Sequence, residues 1–136
     1  MAKEFPRKEP AWALRAYLVL IGMAARHETA TYGELNQRIK RGGARFLAVP
    51  LGCVMLWCKQ NDLPALTSLI VEKPIGLPKF GLKTVDPDKF PAEQQKVFRF
   101  DWFSIIPPTL DDLTAIEKGP LRDLIRANRR RKVRPT

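Results

Sequence analysis

The chain has 136 residues, of which 45% are hydrophobic and 28% are charged. This length suits one domain with a buried core and is short for two, and the apolar fraction excludes a wholly disordered chain. The formal net charge is +10 at pH 7. Such an excess of positive charge is typical of proteins that bind polyanions.

The sequence carries no sign of secretion or of a membrane span. Its N-terminus lacks the apolar run of a secretory signal, and the apolar stretch Trp12–Ala25 is short and contains Arg15. Cys53 and Cys58 are five residues apart in a predicted helix, a spacing that disfavours an internal disulfide. Two free, buried thiols fit a reducing compartment. We therefore expect a soluble cytoplasmic protein with no membrane partner.

The positive charge is concentrated in two parts of the sequence. Residues 10–62 hold seven basic and three acidic residues, and residues 122–136 hold seven basic residues and one acidic residue. Residues 63–121 are nearly balanced, with seven basic and eight acidic residues. A basic surface with a basic tail favours a nucleic-acid partner, although a tail that only keeps the protein soluble gives the same composition.

The first half predicts helices in the order of a helix-turn-helix. Residues 1–9 are a polar arm, and Ala11–Arg26 is a largely apolar helix. After a loop, Thr31 and Glu34 form a Thr-x-x-Glu capping box that begins a second helix, which ends at the basic turn Lys40-Arg41-Gly42-Gly43. An irregular turn then leads into a third helix, Pro50–Gln60, whose apolar character is unusual for a helix that reads DNA.

The next segment predicts a β-hairpin that would act as the wing. Leu66–Lys73 is rich in β-forming residues, and Leu77–Leu82 returns as an edge strand. After it, Ala92–Phe103 is predicted as a helix with an aromatic patch that packs against the first helix. Thr109 caps a short acidic helix with Asp112 at the third position, Gly119-Pro120 is a predicted break, and Leu121–Arg131 is a last, basic helix.

Catalytic and metal-binding patterns are absent from the sequence. His27 is the single histidine, and it cannot join Cys53 and Cys58 at any usual zinc-ligand spacing. No glycine-rich loop follows a strand, so we expect no nucleotide cofactor. A small nuclease or toxin could use Glu72, Asp86 and Asp88, but their spacing does not require it. We expect no catalytic residues, no metal and no cofactor.

Several short motifs resemble a known family. Thr31-Tyr32-Gly33-Glu34-Leu35, Gly43-Ala44-Arg45 and Asn61-Asp62-Leu63-Pro64 are similar to the winged-helix DNA-binding half of alkylguanine-DNA alkyltransferases and alkyltransferase-like proteins. The resemblance covers about residues 10–76, and it implies that Tyr32 contacts the DNA backbone and that Arg45 enters the minor groove.

The same comparison also shows a departure from that family. The family's Pro-Cys-His-Arg motif is replaced by Ala65-Leu66-Thr67-Ser68, so alkyl transfer is not implied. A generic winged helix would use Tyr32 in its core and Arg45 on a phosphate. Leu63–Gly81 and Val97–Trp102 also resemble segments of small bacterial proteins, which implies no function.

The sequence thus predicts a mainly α fold with a small β-hairpin, namely a winged helix-turn-helix core with C-terminal helices. Residues 10–128 form the single domain with its helical extension, and residues 129–136 form a basic tail. We expect a non-enzymatic protein that binds nucleic acid, DNA rather than RNA, through phosphates. The alternative is a protein-interaction module, such as an inhibitor, an antitoxin or a phage-defence adaptor, that uses an apolar surface. The predicted nucleic-acid contacts are Tyr32, Arg38, Lys40, Arg41, Arg45, Lys59, Lys73, Lys79, Arg129, Arg130 and Arg131.

Overall fold

The computed structural model describes residues 8–39, 47–71 and 89–133, with the side chains of residues 8 and 128–133 excepted. The chain is mostly helical, with one small sheet. The helices are α1 (Lys8–Ala25), α2 (Tyr32–Ile39), α3 (Ala48–Gln60), α4 (Phe90–Arg99), α5 (Leu110–Ile116) and α6 (Arg122–Val133). The strands are β1 (Ala30–Thr31) and β2 (Ile70–Val71), and short 3-10 turns span Leu66–Leu69 and Trp102–Ser104.

The core forms where α1 crosses α3. Alanines at positions 13 and 16 of α1 are fully buried, and α1 packs against α3 more extensively than against any other element. Tyr17 of α1 meets Trp57 of α3 edge to face, with ring centroids 5.4 Å apart. Helices α2 and α5 pack against other parts of α1. The largely apolar first helix is therefore the central element of the core.

The two capping boxes predicted from the sequence are present. The Thr31 backbone N–H donates to the Glu34 carboxylate at 2.8 Å, and the Glu34 N–H donates to the Thr31 hydroxyl at 3.2 Å. Thr109 and Asp112 exchange the same pair of bonds at 2.9 and 3.0 Å. Each box satisfies backbone donors that the first turn of a helix would otherwise leave unpaired.

The small β element is a parallel pair. Ala30 is paired with Ile70 and Thr31 with Val71, so residues predicted as loop and helix cap form β1. The predicted mainly α fold with a small β element is confirmed, but this pair is not the predicted hairpin. The second arm of that hairpin, Leu77–Leu82, lies outside the described residues.

The predicted strand Leu66–Lys73 is wrong over its first four residues. Leu66–Leu69 forms a buried 3-10 turn, although these side chains favour strands. Two hydrogen bonds with side chains of helix α4 explain why this segment is not a strand. Glu93 accepts a hydrogen bond from the Ala65 N–H at 2.7 Å, and the Gln94 side-chain amide donates to the Ser68 carbonyl at 2.8 Å. Tertiary hydrogen bonds thus replace the strand ladder that local preference alone would favour.

The predicted break at Gly119-Pro120 is also wrong. A π-helical turn, Glu117–Leu121, joins α5 to α6 without interruption. Proline lacks a backbone N–H, so the helix ladder has no donor at Pro120, and the chain passes this residue in the π-helical turn. Helix α6 then continues to Val133. At the other end, α1 begins at Lys8, three residues before its predicted start.

Helix α4 is shorter than predicted. It ends at Arg99, and the aromatic residues that follow form the Trp102–Ser104 turn against α1. The buried Trp102 indole donates to the Val97 carbonyl at 2.9 Å, which turns the chain back onto α4. Within residues 8–39, 47–71 and 89–133, no helix is both long enough and apolar enough to cross a membrane.

Candidate nucleic-acid interface

Three of the predicted contact residues have described side chains: Tyr32, Arg38 and Lys59. Lys40, Arg41, Arg45, Lys73 and Lys79 lie outside the described residues. Arg129, Arg130 and Arg131 belong to the backbone of α6, and their side chains are not described. The acidic residues that a nuclease could use, Glu72, Asp86 and Asp88, also lie outside the described residues.

Arg38 is exposed, but a carboxylate lies beside it. Its guanidinium lies 3.6 Å from Glu28, and Arg26 lies 3.2 Å from the same carboxylate. The hydrogen bond from Arg26, followed by the charges of Arg26 and Arg38, lowers the pKa of Glu28. Two arginines therefore converge on one carboxylate, and the group keeps a single net positive charge. Tyr32, the first residue of α2, is half-buried and packs against the core.

Lys59 borders a different part of the molecule. It is exposed in the last turn of α3 and lines a cleft of about 370 Å³ between α3 and α4. Asp62, Glu93 and Lys96 line the same cleft, and Lys96 lies 3.8 Å from Glu93. Charges of both signs alternate here, so this cleft has no strong attraction for phosphate.

Arg15 has a structural role that the sequence did not predict. Its guanidinium donates to the carbonyl of Ile39, the last residue of α2, at 3.4 Å and lies 4.6 Å from the centroid of the Trp12 ring. An arginine at a helix C-terminus satisfies a free carbonyl and opposes the negative end of the helix dipole. Arg15 thus fixes the end of α2 against α1.

Helix α3 has no free face along most of its length. Every residue from Pro50 to Cys58 is buried. The helix is enclosed by α1, α5, the π turn and the Leu66–Leu69 turn. In a helix-turn-helix, the second helix of the motif needs an exposed face to enter a groove. Helix α3 does not offer such a face over these nine residues.

Helix α6 carries two exposed arginines among its described side chains. Arg122 and Arg126 are exposed and four residues apart, so they lie on the same face of the helix. Among the described residues, neither forms a salt bridge. The helix continues through positions 129–132, which are Arg, Arg, Arg and Lys.

The same helix is anchored on its other side. Leu121 is fully buried, and Leu124 and Ile125 pack against the core. Val49 of α3 and Leu121, Glu117, Ile125, Arg122 and Arg126 line a cleft of about 330 Å³ at this junction. Sequence reasoning chose positions 129–131 for their charge density and missed Arg122 and Arg126. The available signal was the spacing of four residues between the two arginines, with Leu121 directly before Arg122 and Ile125 directly before Arg126.

The described residues hold no arrangement typical of catalysis. Burial, followed by the charges of Glu117 and Glu9, raises the pKa of Cys53 to about 12, and burial also raises the pKa of Cys58 to about 12. Both thiols therefore stay protonated and weakly nucleophilic at neutral pH. The exposed His27 stacks on Phe98, with ring centroids 5.0 Å apart. Within the described ranges, no three His, Cys, Asp or Glu residues are grouped to hold a metal ion.

No protein-family model, curated protein or solved structure matches this chain. The resemblance to the alkyltransferase DNA-binding half therefore stays a prediction. Of its two named contact residues, Tyr32 stands at the start of α2, and Arg45 lies outside the described residues.

Proposed function

We propose that this protein is a non-enzymatic, cytoplasmic nucleic-acid-binding protein that contacts phosphates, with DNA favoured over RNA. The observation that carries the proposal is the exposed basic face of α6. Arg122 and Arg126 lie there without an ion-pair partner among the described residues, and four more basic residues follow on the same helix. Unpaired cations on a regular element need not break existing ion pairs before they meet a phosphate.

The rest of the charge distribution supports the same proposal. Arg38, next to Arg26, adds a second positive group near the start of the sheet, and Tyr32 begins the helix that carries Arg38. Lys40, Arg41, Arg45, Lys73 and Lys79 complete the proposed contacts in a winged-helix arrangement. The buried free thiols of Cys53 and Cys58 support a reducing compartment such as the cytoplasm.

Fluorescence anisotropy with labelled nucleic acids tests this function. The panel contains a 20-base-pair DNA duplex, the RNA duplex of the same sequence and both single strands, each at 50 and 200 mM NaCl. If six or more phosphates are neutralised, affinity falls by roughly a thousandfold or more between these salt concentrations. Absence of binding to every member of the panel at 50 mM NaCl contradicts the proposal.

A protein-interaction module is the second candidate, and an exposed apolar segment favours it. Phe103 is 67% exposed and Ile106, three residues later, is 85% exposed. Large apolar side chains at this exposure are common anchors of protein interfaces. A stoichiometric partner that co-purifies with the natural sequence, and is lost in Phe103→Ser with Ile106→Ser, would support this candidate. A protein that purifies alone under the same conditions would count against it.

A further inference from the structure

We infer that α6 enters the major groove of double-stranded DNA and that it, rather than α3, is the helix that holds the duplex. The inference rests on the proposed function and adds the ligand class and the element that binds it. It begins from the burial of α3, since a helix with nine consecutive buried residues cannot lie in a groove.

The other described helices are poor candidates for the same task. Helix α2 has eight residues, and its exposed Arg38 lies beside Glu28. The first turn of helix α5 contains Asp111 and Asp112, which would repel phosphates. In α4, Lys96 faces Glu93 at 3.8 Å. Helix α1 is the spine of the core and is buried along one side. Helix α6 is twelve residues long, and its exposed Arg122 and Arg126 have no ion-pair partner within the described part of the chain.

The basic residues of α6 are spaced so that one side of the helix could face the phosphates that border a groove. Positions 122, 126, 129 and 130 share one side of a regular helix, because at about 100° per residue they fall within an arc of about 100°. With a rise of about 1.5 Å per residue, these positions span about 12 Å, and the whole helix spans about 18 Å. Asp123 is the one acidic residue of α6, and it lies one residue from Arg122, beside this face rather than along its centre.

The major grooves of DNA and RNA duplexes differ in width, and this difference decides which duplex α6 can enter. The major groove of B-form DNA is about 12 Å wide and accepts an α-helix with its side chains. The major groove of A-form RNA is deep and narrow, and side chains do not reach its base edges. A helix that binds as a rod in a groove therefore discriminates between the two duplexes, whereas a basic tail that only neutralises charge binds both.

The attachment of α6 to the core favours this docking. Leu121 is buried against Gly52 of α3, and Leu124 and Ile125 pack on the core. These contacts lie in the π turn and in the first turn of α6. The entry angle of α6 is thus set by the domain, while Arg122 and Arg126 face solvent. The cost of ordering the helix on binding is reduced where folding has already fixed it.

The test measures binding of the full chain to 20-base-pair DNA duplexes in which either the major or the minor groove is blocked. One duplex has its major groove filled by glucosylated 5-hydroxymethylcytosine, and another has its minor groove filled by netropsin. We expect binding to be lost with the filled major groove and retained with the filled minor groove. We also expect weaker binding to the RNA duplex of the same sequence.

Matched arginine variants locate the contact. Arg122→Gln and Arg126→Gln should each weaken binding to the DNA duplex by about tenfold and reduce the salt slope by about one. Arg99→Gln on α4 removes the same charge from another exposed position and should have a smaller effect. Circular dichroism and urea unfolding check that each variant keeps its fold.

The outcomes separate this inference from the proposed function. If DNA binds but the filled major groove has no effect, or if Arg99→Gln weakens binding as much as Arg126→Gln, the role of α6 is overturned and nucleic-acid binding stands. If no nucleic acid binds at 50 mM NaCl, both fail. Binding to phosphatidylserine vesicles without binding to DNA would likewise overturn the inference, because a basic helix with an apolar side can lie on an anionic membrane.

Discussion

Gly52 of α3 and Leu121 of the π turn are in such close contact that a Cβ atom on Gly52 would lie 2.7 Å from Leu121 Cδ1. Leu121 is only 1% exposed, so its side chain has little space to move away. The absence of a side chain at position 52 therefore lets the π turn seat against α3. That contact sets the point at which α6 leaves the core.

Gly52→Ala should destabilise the fold. The added methyl group crowds a packed site, which costs about 1–3 kcal/mol, and the gain in helix preference offsets up to about 1 kcal/mol of that. Gly119→Ala is the matched control, because a Cβ there meets nothing within 4 Å. It should raise the free energy of unfolding by up to about 1 kcal/mol. Urea unfolding measures both, and equal effects of the two variants would refute the packing explanation.

Thr31→Ala should lower the free energy of unfolding by about 1 kcal/mol, the usual cost of losing an N-terminal cap. The Thr31 hydroxyl accepts the Glu34 N–H at 3.2 Å, and alanine leaves that donor to water. Thr29→Ala is the control, since the exposed Thr29 forms no side-chain hydrogen bond among the described residues. Thermal unfolding compares the two variants. If Thr29→Ala loses as much stability as Thr31→Ala, the lost cap does not explain the effect.

Tyr17→Phe should stabilise the protein at pH 7 by about 1 kcal/mol. The Tyr17 hydroxyl is buried and has no hydrogen-bond partner among the described residues, and an unpaired buried hydroxyl costs about 1–3 kcal/mol. Phenylalanine keeps the edge-to-face contact with Trp57. Urea unfolding at pH 7 measures the change, and a clear loss of stability would mean that the hydroxyl has a partner in the folded protein.

Stability should fall as the pH rises from about 9 to 12. Burial raises the pKa of Cys53 from 9.0 to about 12, and burial raises that of Tyr17 from 10.0 to about 12. In this window the folded chain keeps protons that the unfolded chain releases, so a higher pH favours unfolding. Below pH 9 the effect is absent. Between pH 8 and 11, the melting temperature of Cys53→Ala should fall less steeply than that of the natural sequence. Parallel declines would show that Cys53 does not contribute.

Glu28→Gln should strengthen nucleic-acid binding and steepen its salt dependence. The substitution releases Arg26 and Arg38, which lie 3.2 and 3.6 Å from the carboxylate, and the freed groups can meet phosphates. Asp111→Asn makes the same change in net charge at an exposed position on α5. Anisotropy titrations at several salt concentrations compare them. If both variants gain equally, only net charge matters and Arg38 has no local role.

The features that the sequence predicted well are local ones. Each capping box depends on residues three apart, and the Thr31–Glu34 and Thr109–Asp112 pairs formed as expected. Their geometry follows from the helix itself and needs no distant partner. The long helices were also predicted, because apolar periodicity over ten or more residues is a strong signal.

The features that the sequence missed depend on distant partners. Leu66–Leu69 became a 3-10 turn because α4, more than twenty residues later, bonds to its backbone through Glu93 and Gln94. Sequence patterns do not indicate that contact. The same limit applied to the candidate site, where charge density drew attention to positions 129–131. The exposure of Arg122 and the enclosure of α3 depend on how the helices pack, which composition does not show.

The π turn before α6 also determines which way the basic side of that helix points. A π turn closes its hydrogen bonds one residue later than an α-helix does, and so it holds one extra residue. Each residue of an α-helix turns the chain by about 100°, so rewinding Glu117–Leu121 as a regular α-helical turn without removing a residue would rotate everything after it by about that angle. Ile125, which packs on the core, would then take the direction that the exposed Arg126 has now. The five-residue π turn thus sets which side of the C-terminal helix faces the core.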